Sequence, residues 1–156
     1  MSTINYDPAT GIFTRRDSPH PRYDGPCGTL RPTGDVVVWY QGKLVLAHRL
    51  AWYLTHGHWP DGILDHIDGD PSNNRLANLR LATRAQNMQN SRPRIDKAVG
   101  LKGVSYRVSR GKFKWTARIK HAGKIRRLGS FDTVRQAHIA YCLEALECFG
   151  EFARFA

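Results

Sequence analysis

Asp65 and His66 stand side by side, with Asn78 and Asn87 further along the same stretch, Ile63 to Asn90: ILDHIDGDPSNNRLANLRLATRAQNMQN. A carboxylate beside an imidazole, followed by a long Asn- and Gly-rich loop, a short strand and a helix bearing an amide, can hold one hard metal ion next to a general base. Successive side chains of a strand point to opposite faces, so Asp65 and His66 can serve different partners. A ligated nitrogen cannot accept a proton, so His66 has to stay off the ion, while Asp65 is suited to hold it. Asn87 would add a neutral oxygen from the helix and leave the remaining positions to water and phosphate. An all-oxygen set favours Mg²⁺, with Mn²⁺ as a substitute.

DHIDGDPSNNRLANLR followed by RAQNMQN resembles the HNH, or His-Me finger, motif of phage-type homing endonucleases in residue type, order and spacing. The AHRLAW segment just before it extends the likeness leftward. The resemblance implies a β-β-α metal finger that hydrolyses duplex DNA to a 5′-phosphate and a 3′-hydroxyl. His66 would be the general base, and Asp65 and Asn87 the ligands of one divalent ion. Asn78 matches the middle letter of the motif, an amide that bridges the loop backbone and holds the His-bearing segment. Some relatives carry a second histidine where this chain has Asn87, so Asn87 argues against an obligate zinc.

Ile63 and Leu64 start a short strand that ends at Asp65-His66. Residues 67–78 form a loop with Gly69 and Pro71, and Leu79 to Ala82 form the returning strand. Thr83 and Gln86 stand at capping-box spacing, which starts a helix there and puts Asn87 in its first turns. Upstream, Asp7-Pro8 and Gly11 are turn chemistry in a small hairpin, and Ser18 to Gly28 reads as loop. VVVWYQGKLVLAH reads as a second hairpin turning at Gly42. His48 to His56 is a short helix whose Leu50, Trp52, Tyr53 and Leu54 supply the core for the finger.

Blander roles compete for several of these residues. DGDPSNN also has the look of a calcium loop, but the closing glutamate is missing. Asn73, Asn74 and Asp68 suit loop hydrogen bonds and carry no chemical role. His56 and His58 lack a third ligand, and the other isolated histidines read as structural.

With 156 residues the chain suits two small domains. We expect a nuclease domain over 1–90, a basic linker over 91–100 and a DNA-binding domain over 101–156, in an α+β fold. The net charge is +11, and the split is uneven: residues 1–96 carry 11 Lys+Arg against 9 Asp+Glu, residues 97–156 carry 13 against 4. Leu101 to Phe131 holds ten basic residues and no acidic one, the footprint of a polyanion partner. Cys27, Cys142 and Cys148 are odd in number and scattered, which fits a reducing cytosol better than a disulfide framework, and the resemblance implies that of a phage-infected or bacterial cell. With no signal-like or 18-residue apolar run, no membrane association is expected.

KGVSYRVSRGKFKWTARIKHAGKIRRLGSF reads as three strands, with turns at Arg110-Gly111 and Ala122-Gly123. In the middle strand Trp115, Ala117 and Ile119 share one face, while Lys114, Thr116, Arg118 and Lys120 share the other and would meet DNA. The third strand gives no clean face, since Lys124, Arg126 and Leu128 fall together. A helix over Thr133 to Phe149, capped by Asp132, follows and ends at Gly150.

GVSYR, KWTARIK and RRLGSFDTVRQAHIAYCLEAL resemble the ethylene-response-factor-type DNA-binding domain of plants, which also accompanies phage HNH nucleases. That family reads the major groove with its sheet. The resemblance assigns Lys102, Arg107, Lys112, Lys120 and Arg127 to DNA contacts, whereas Ser105 and Ile125 stand where plant members have arginines. The reading is therefore a metal-dependent endonuclease of duplex DNA with a homing or mobile-element role. Its alternative is a non-catalytic DNA-binding regulator that retains a nuclease-like fold. RNA binding is a third class, disfavoured because the basic sheet shows no exposed aromatic pair for stacking bases.

Overall fold

The computed structural model describes residues 3–91, 100–109 and 112–155, so most of the expected 91–100 linker and the Arg110-Gly111 turn lie outside the described residues. The chain is α+β and divides into two compact units, Met1–Arg84 and Ala85–Ala156. The division falls six residues before the expected end of the first domain, at the start of a helix rather than after it.

In the first unit, β1 (Thr3–Tyr6) and β2 (Phe13–Arg16) form the expected antiparallel hairpin. β3 (Gly25–Cys27) joins β2, and β4 (Thr29–Leu30) joins the hairpin of β5 (Val36–Tyr40) and β6 (Lys43–Leu46). The stretch 18–28 is thus a 3-10 turn at Pro21–Tyr23 followed by a strand, not loop alone. Pro and Gly mask it in the sequence, because they lower strand propensity even where an edge strand accepts them. α1 (Ala47–His56) ends on Gly57 in the left-handed conformation. Phe13, Val38, Ala47, Leu50, Ala51 and Leu79 make one buried cluster from both hairpins, α1 and the strand that follows the 67–78 loop. None of the described helices is long and apolar enough to cross a membrane.

β7 (Ile63–His66) pairs antiparallel with β8 (Leu79–Ala82), in the register Asp65↔Arg80 and His66↔Leu79. α2 (Arg84–Asn90) follows Thr83. Asn87 is half-buried on α2 and belongs to the second unit.

In the second unit β9 (Val104–Ser109), β10 (Lys112–His121) and β11 (Lys124–Phe131) form an antiparallel sheet in the order β11-β10-β9. α3 (Val134–Phe149) lies on it, and Val104, Ala117, Ile119, Ala137, Tyr141 and Ala145 are buried between. The cap of α3 is Thr133, whose hydroxyl accepts the Gln136 amide in a capping box. Asp132, expected as the cap, pairs with Lys114. A bulge settles the third strand: Arg118 faces Arg127, while Ala117 faces Gly129 across a register shift. Ile125 and Arg127 therefore share the outer face with Lys120 and Arg118. Arg126 turns to the helix side and pairs with Glu144.

Candidate active site and nucleic-acid face

Burial of the short β7–β8 hairpin against the first unit's core decides how its polar residues are held. Asp65 is 5 % exposed and His66 8 % exposed. Arg80, directly opposite Asp65, donates from Nε and Nη2 to Asp65 Oδ2, both at 3.0 Å. Sequence reasoning gave Arg80 no part in the site. A buried carboxylate needs a countercharge, and the residue across the ladder supplies it.

His66 shares its strand face with Leu64, on the core side of the hairpin. Its ring meets that of His48 on α1 edge to face, with centroids 5.0 Å apart and an interplanar angle of 79°. Burial, with the nearby His66 and Arg49, pushes the His48 pKa down to about 4, so His48 is neutral. On its other side His66 Nε2 lies 3.5 Å from Asn74 Oδ1, at the outer limit of a hydrogen bond.

The 67–78 loop is held by its own amides and carboxylates. Asn78 accepts the Asp68 backbone N–H at 3.1 Å and donates to Asp68 Oδ1 at 3.0 Å and to the Asn73 carbonyl at 2.8 Å. Ile67 N–H donates to the Asn78 carbonyl at 2.9 Å, closing the loop onto the end of β7. Asp68 also accepts from the Asp70 amide at 2.8 Å and from Asn73 at 2.7 Å. Partial burial pushes the Asp68 carboxyl up, but these bonds outweigh it and hold the group below its ordinary value.

The N-terminal hairpin props the same loop from outside. Tyr6 donates its hydroxyl to the Asn74 carbonyl at 2.8 Å, and the Leu76 amide donates to the Pro8 carbonyl at 3.1 Å. Gly11, at φ +75°, comes so close to the Asn74–Arg75 backbone that a Cβ would lie 2.7 Å from it. Nothing in NYDPATG signals a partner more than sixty residues away.

Of the expected site residues, Asp65, His66 and Asn78 come together in the first unit, and Asn87 is carried by the second. Among the described residues no three His, Cys, Asp or Glu side chains gather into a metal cluster. The expected donors, the Asp65 carboxylate and the Asn87 amide, are hard oxygens of the kind a hard divalent ion takes, and Asp65 is already bonded to Arg80. His56 and His58 have ordinary roles: each Nδ1 meets a backbone carbonyl, at 3.0 and 3.1 Å, and His56 stacks on Trp52.

On the second unit, Arg107, Lys112, Arg118, Lys120 and Arg127 are all exposed. Arg107 sits opposite Lys114, and Arg118 opposite Arg127. Like charges directly across a ladder repel, chiefly at Arg118–Arg127, since Lys114 is paired with Asp132. Lys102 donates to the Gln89 carbonyl and, at 3.0 Å, to the Ser91 carbonyl, at the C-terminal end of α2.

One expectation is corrected. The sheet does carry an exposed aromatic pair: Tyr106, 52 % exposed, and Phe113, 51 % exposed, stack at 5.4 Å. The pair lies on the helix side, opposite the basic face, on the same face as buried Ala117 and Ile119.

The HNH endonuclease family matches residues 45–89, from β6 to α2. Protein 3.8 of Escherichia phage T7 is 35% identical over 109 residues, 69% of this chain and 88% of that protein. The uncharacterized HNH endonuclease L560 of Acanthamoeba polyphaga mimivirus is 35% identical over 125 residues, 80% of this chain and 63% of that protein. No solved structure matches the chain. Residues 45–89 are thus an HNH endonuclease family domain, with a viral HNH endonuclease as homologue, and HNH nucleases generally use a divalent metal.

Proposed function

We propose that the chain is a metal-dependent endonuclease of duplex DNA, with a nuclease module that ends in a β-β-α finger and a C-terminal module, similar to the ethylene-response-factor type, that positions it. The observation that carries this reading is the neighbouring pair on β7. Asp65 faces Arg80 on one side of the strand and His66 faces His48 and Asn74 on the other, so carboxylate and imidazole are separated for two tasks. Asp65 and Asn87 are the oxygens that would hold one hard ion, Mg²⁺ or in its place Mn²⁺. When bound, the ion supplies neutralising charge at the scissile phosphate and the departing 3′-oxygen. His66 takes the proton of the attacking water, and Asn78 keeps the 67–78 loop and the end of β7 in place. The crowded cations of Arg107, Arg118, Lys120 and Arg127, with Lys112 and the helix-bound Lys102, support a phosphate-rich partner on the sheet. A homing or mobile-element role, in a phage or its bacterial host, fits this pairing of modules.

A second reading is favoured by one observation: Asp65 is already paired and His66 is almost buried, as in a nuclease fold kept only as a clamp. Plasmid incubated with the protein and Mg²⁺, or with chelator, separates the two. The enzyme reading expects nicks or breaks only with metal, and DNA binding in both. Binding with intact plasmid under every metal condition would leave the clamp.

A further inference from the structure

We propose that the outer face of α3 docks a second copy of this chain, so that two subunits pair helix to helix and carry their basic sheets on opposite sides. α3 presents two apolar stripes. Ala137, Tyr141 and Ala145 are buried against the sheet. Ile139, Leu143 and Leu146, at i, i+4 and i+7, form the other and are 50 %, 60 % and 50 % exposed. Leu143 stands two residues from both Tyr141 and Ala145, roughly 200° round the helix from each, so the exposed stripe points away from the sheet. A helix that is apolar on both sides is one that is covered on both sides. Single exposed aliphatic groups are ordinary on a monomer, but three in one row mark a contact.

Charge decides what covers the row. The chain carries +11, and Leu101 to Phe131 alone holds ten basic residues and no acidic one, so two copies repel at their sheets. Along α3 the balance differs: residues 134–149 hold Arg135 against Glu144 and Glu147, and Glu144 is paired with Arg126. Exposed Arg135 lies near one end of the helix and exposed Glu147 near the other. The stripe between them has no row of cations for a nucleic-acid backbone and no excess charge to keep a second positive chain away. Its three side chains are alike in size and nearly evenly placed about the middle of the helix. A two-fold axis there sets Leu143 beside its own counterpart and Ile139 beside Leu146 of the second copy. The patch is small, so the dimer is weak and depends on concentration. The sheet lies between α3 and the face bearing Arg107, Arg118, Lys120 and Arg127. Two chains joined through α3 therefore turn these faces outward in opposite directions, and one dimer holds two duplex segments.

The test begins with sedimentation velocity of the full chain without DNA, over protein concentrations rising from the micromolar range. Wild type is expected to pass from monomer to dimer. Leu143→Glu sets two carboxylates together at the axis and is expected to stay monomeric, as is Leu143→Lys, whereas an equal mixture of the two is expected to dimerise again. That recovery needs one chain to meet another at this position. Leu143 is exposed, so both variants are expected to keep the wild-type melting temperature and the affinity for a single duplex. Leu143→Gln, without charge, takes their place if either fails to fold, and is expected to lower the dimer fraction. A second arm rests on the reading of the sheet as the DNA face. A bead-bound duplex is expected to capture a second, labelled duplex through wild type, and about tenfold less of it through Leu143→Glu. A wild type that stays monomeric at every concentration would overturn the proposal, as would Leu143→Glu that dimerises like wild type, or a mixture that does not recover. A dimer that captures no second duplex would overturn the opposed arrangement of the sheets. Failure of wild type to bind even one duplex would count against the DNA-binding reading instead.

Discussion

At the scale of single residues, Asn78 uses every polar atom of its side chain on the loop beside His66. Asn78→Ala leaves the Asp68 amide and the Asn73 carbonyl without these partners. We expect a loss of about 1–3 kcal/mol in denaturant melts, and a lower kcat from a loosened loop. His48 gives a pH signature. Above its ordinary value of 6.5 it is neutral in both folded and unfolded chain, and contributes nothing to the pH dependence of stability. As pH falls, the unfolded chain takes up the proton first, while the folded one resists until about 4. Stability therefore drops across that window, by roughly 3 kcal/mol at most. Burial pushes the His48 pKa down most, His66 and Arg49 push it further and Asp35 pushes it up, so the slope reads their sum. His48→Phe should flatten that part of the curve, and an unchanged curve would show that His48 is not the titrating group. The Asp65-His66-Asn78 set was legible because type, order and spacing are carried by the local chain. Asn74 and His48 were not, since their meaning comes from one ring that they flank at different separations along the sequence.

Elements set the next scale. The β7–β8 register places Arg80 against Asp65, and the pair is nearly closed to solvent. Arg80→Ala strands a buried carboxylate and should cost about 3–5 kcal/mol, whereas changing Asp65→Asn and Arg80→Met together should cost less. Equal losses in single and double variants would show that the two side chains are not coupled. Gly103 precedes β9 at φ +72°, and a Cβ there would lie 2.0 Å from the Tyr141 ring and 2.8 Å from the Arg118 carbonyl. Gly103→Ala should therefore unsettle the packing of α3 on the sheet, seen as an early melting transition. The hairpins and helices were legible because turn residues and periodicity are local signals. The bulge at Leu128 was not, since it inserts one residue into an otherwise regular alternation and swaps the faces of everything beyond it. The edge strand β3 and the hydrogen bonds from the first hairpin to the 67–78 loop likewise depend on distant partners.

For the whole molecule, the uneven charge was the most legible feature, and Arg107, Lys112, Arg118, Lys120 and Arg127 share one face of the second unit's sheet, whereas Arg126 turns to the helix side. If that face lies on phosphates, binding should weaken linearly in log–log salt plots. Arg107→Ala with Arg127→Ala should reduce the slope by about 2, near 0.9 for each phosphate no longer neutralised. An unchanged slope would remove the sheet from the interface. The division at Arg84–Ala85 was not legible, because the motif runs across it without any change in composition. The central claim is that His66 is the proton acceptor of a metal-dependent strand scission, and its most direct measurement is single-turnover cleavage of a duplex by His66→Ala beside wild type, with Mg²⁺. We expect DNA affinity to be kept and the rate to fall by about 10²–10⁴; a variant that cuts as fast as wild type would contradict the account.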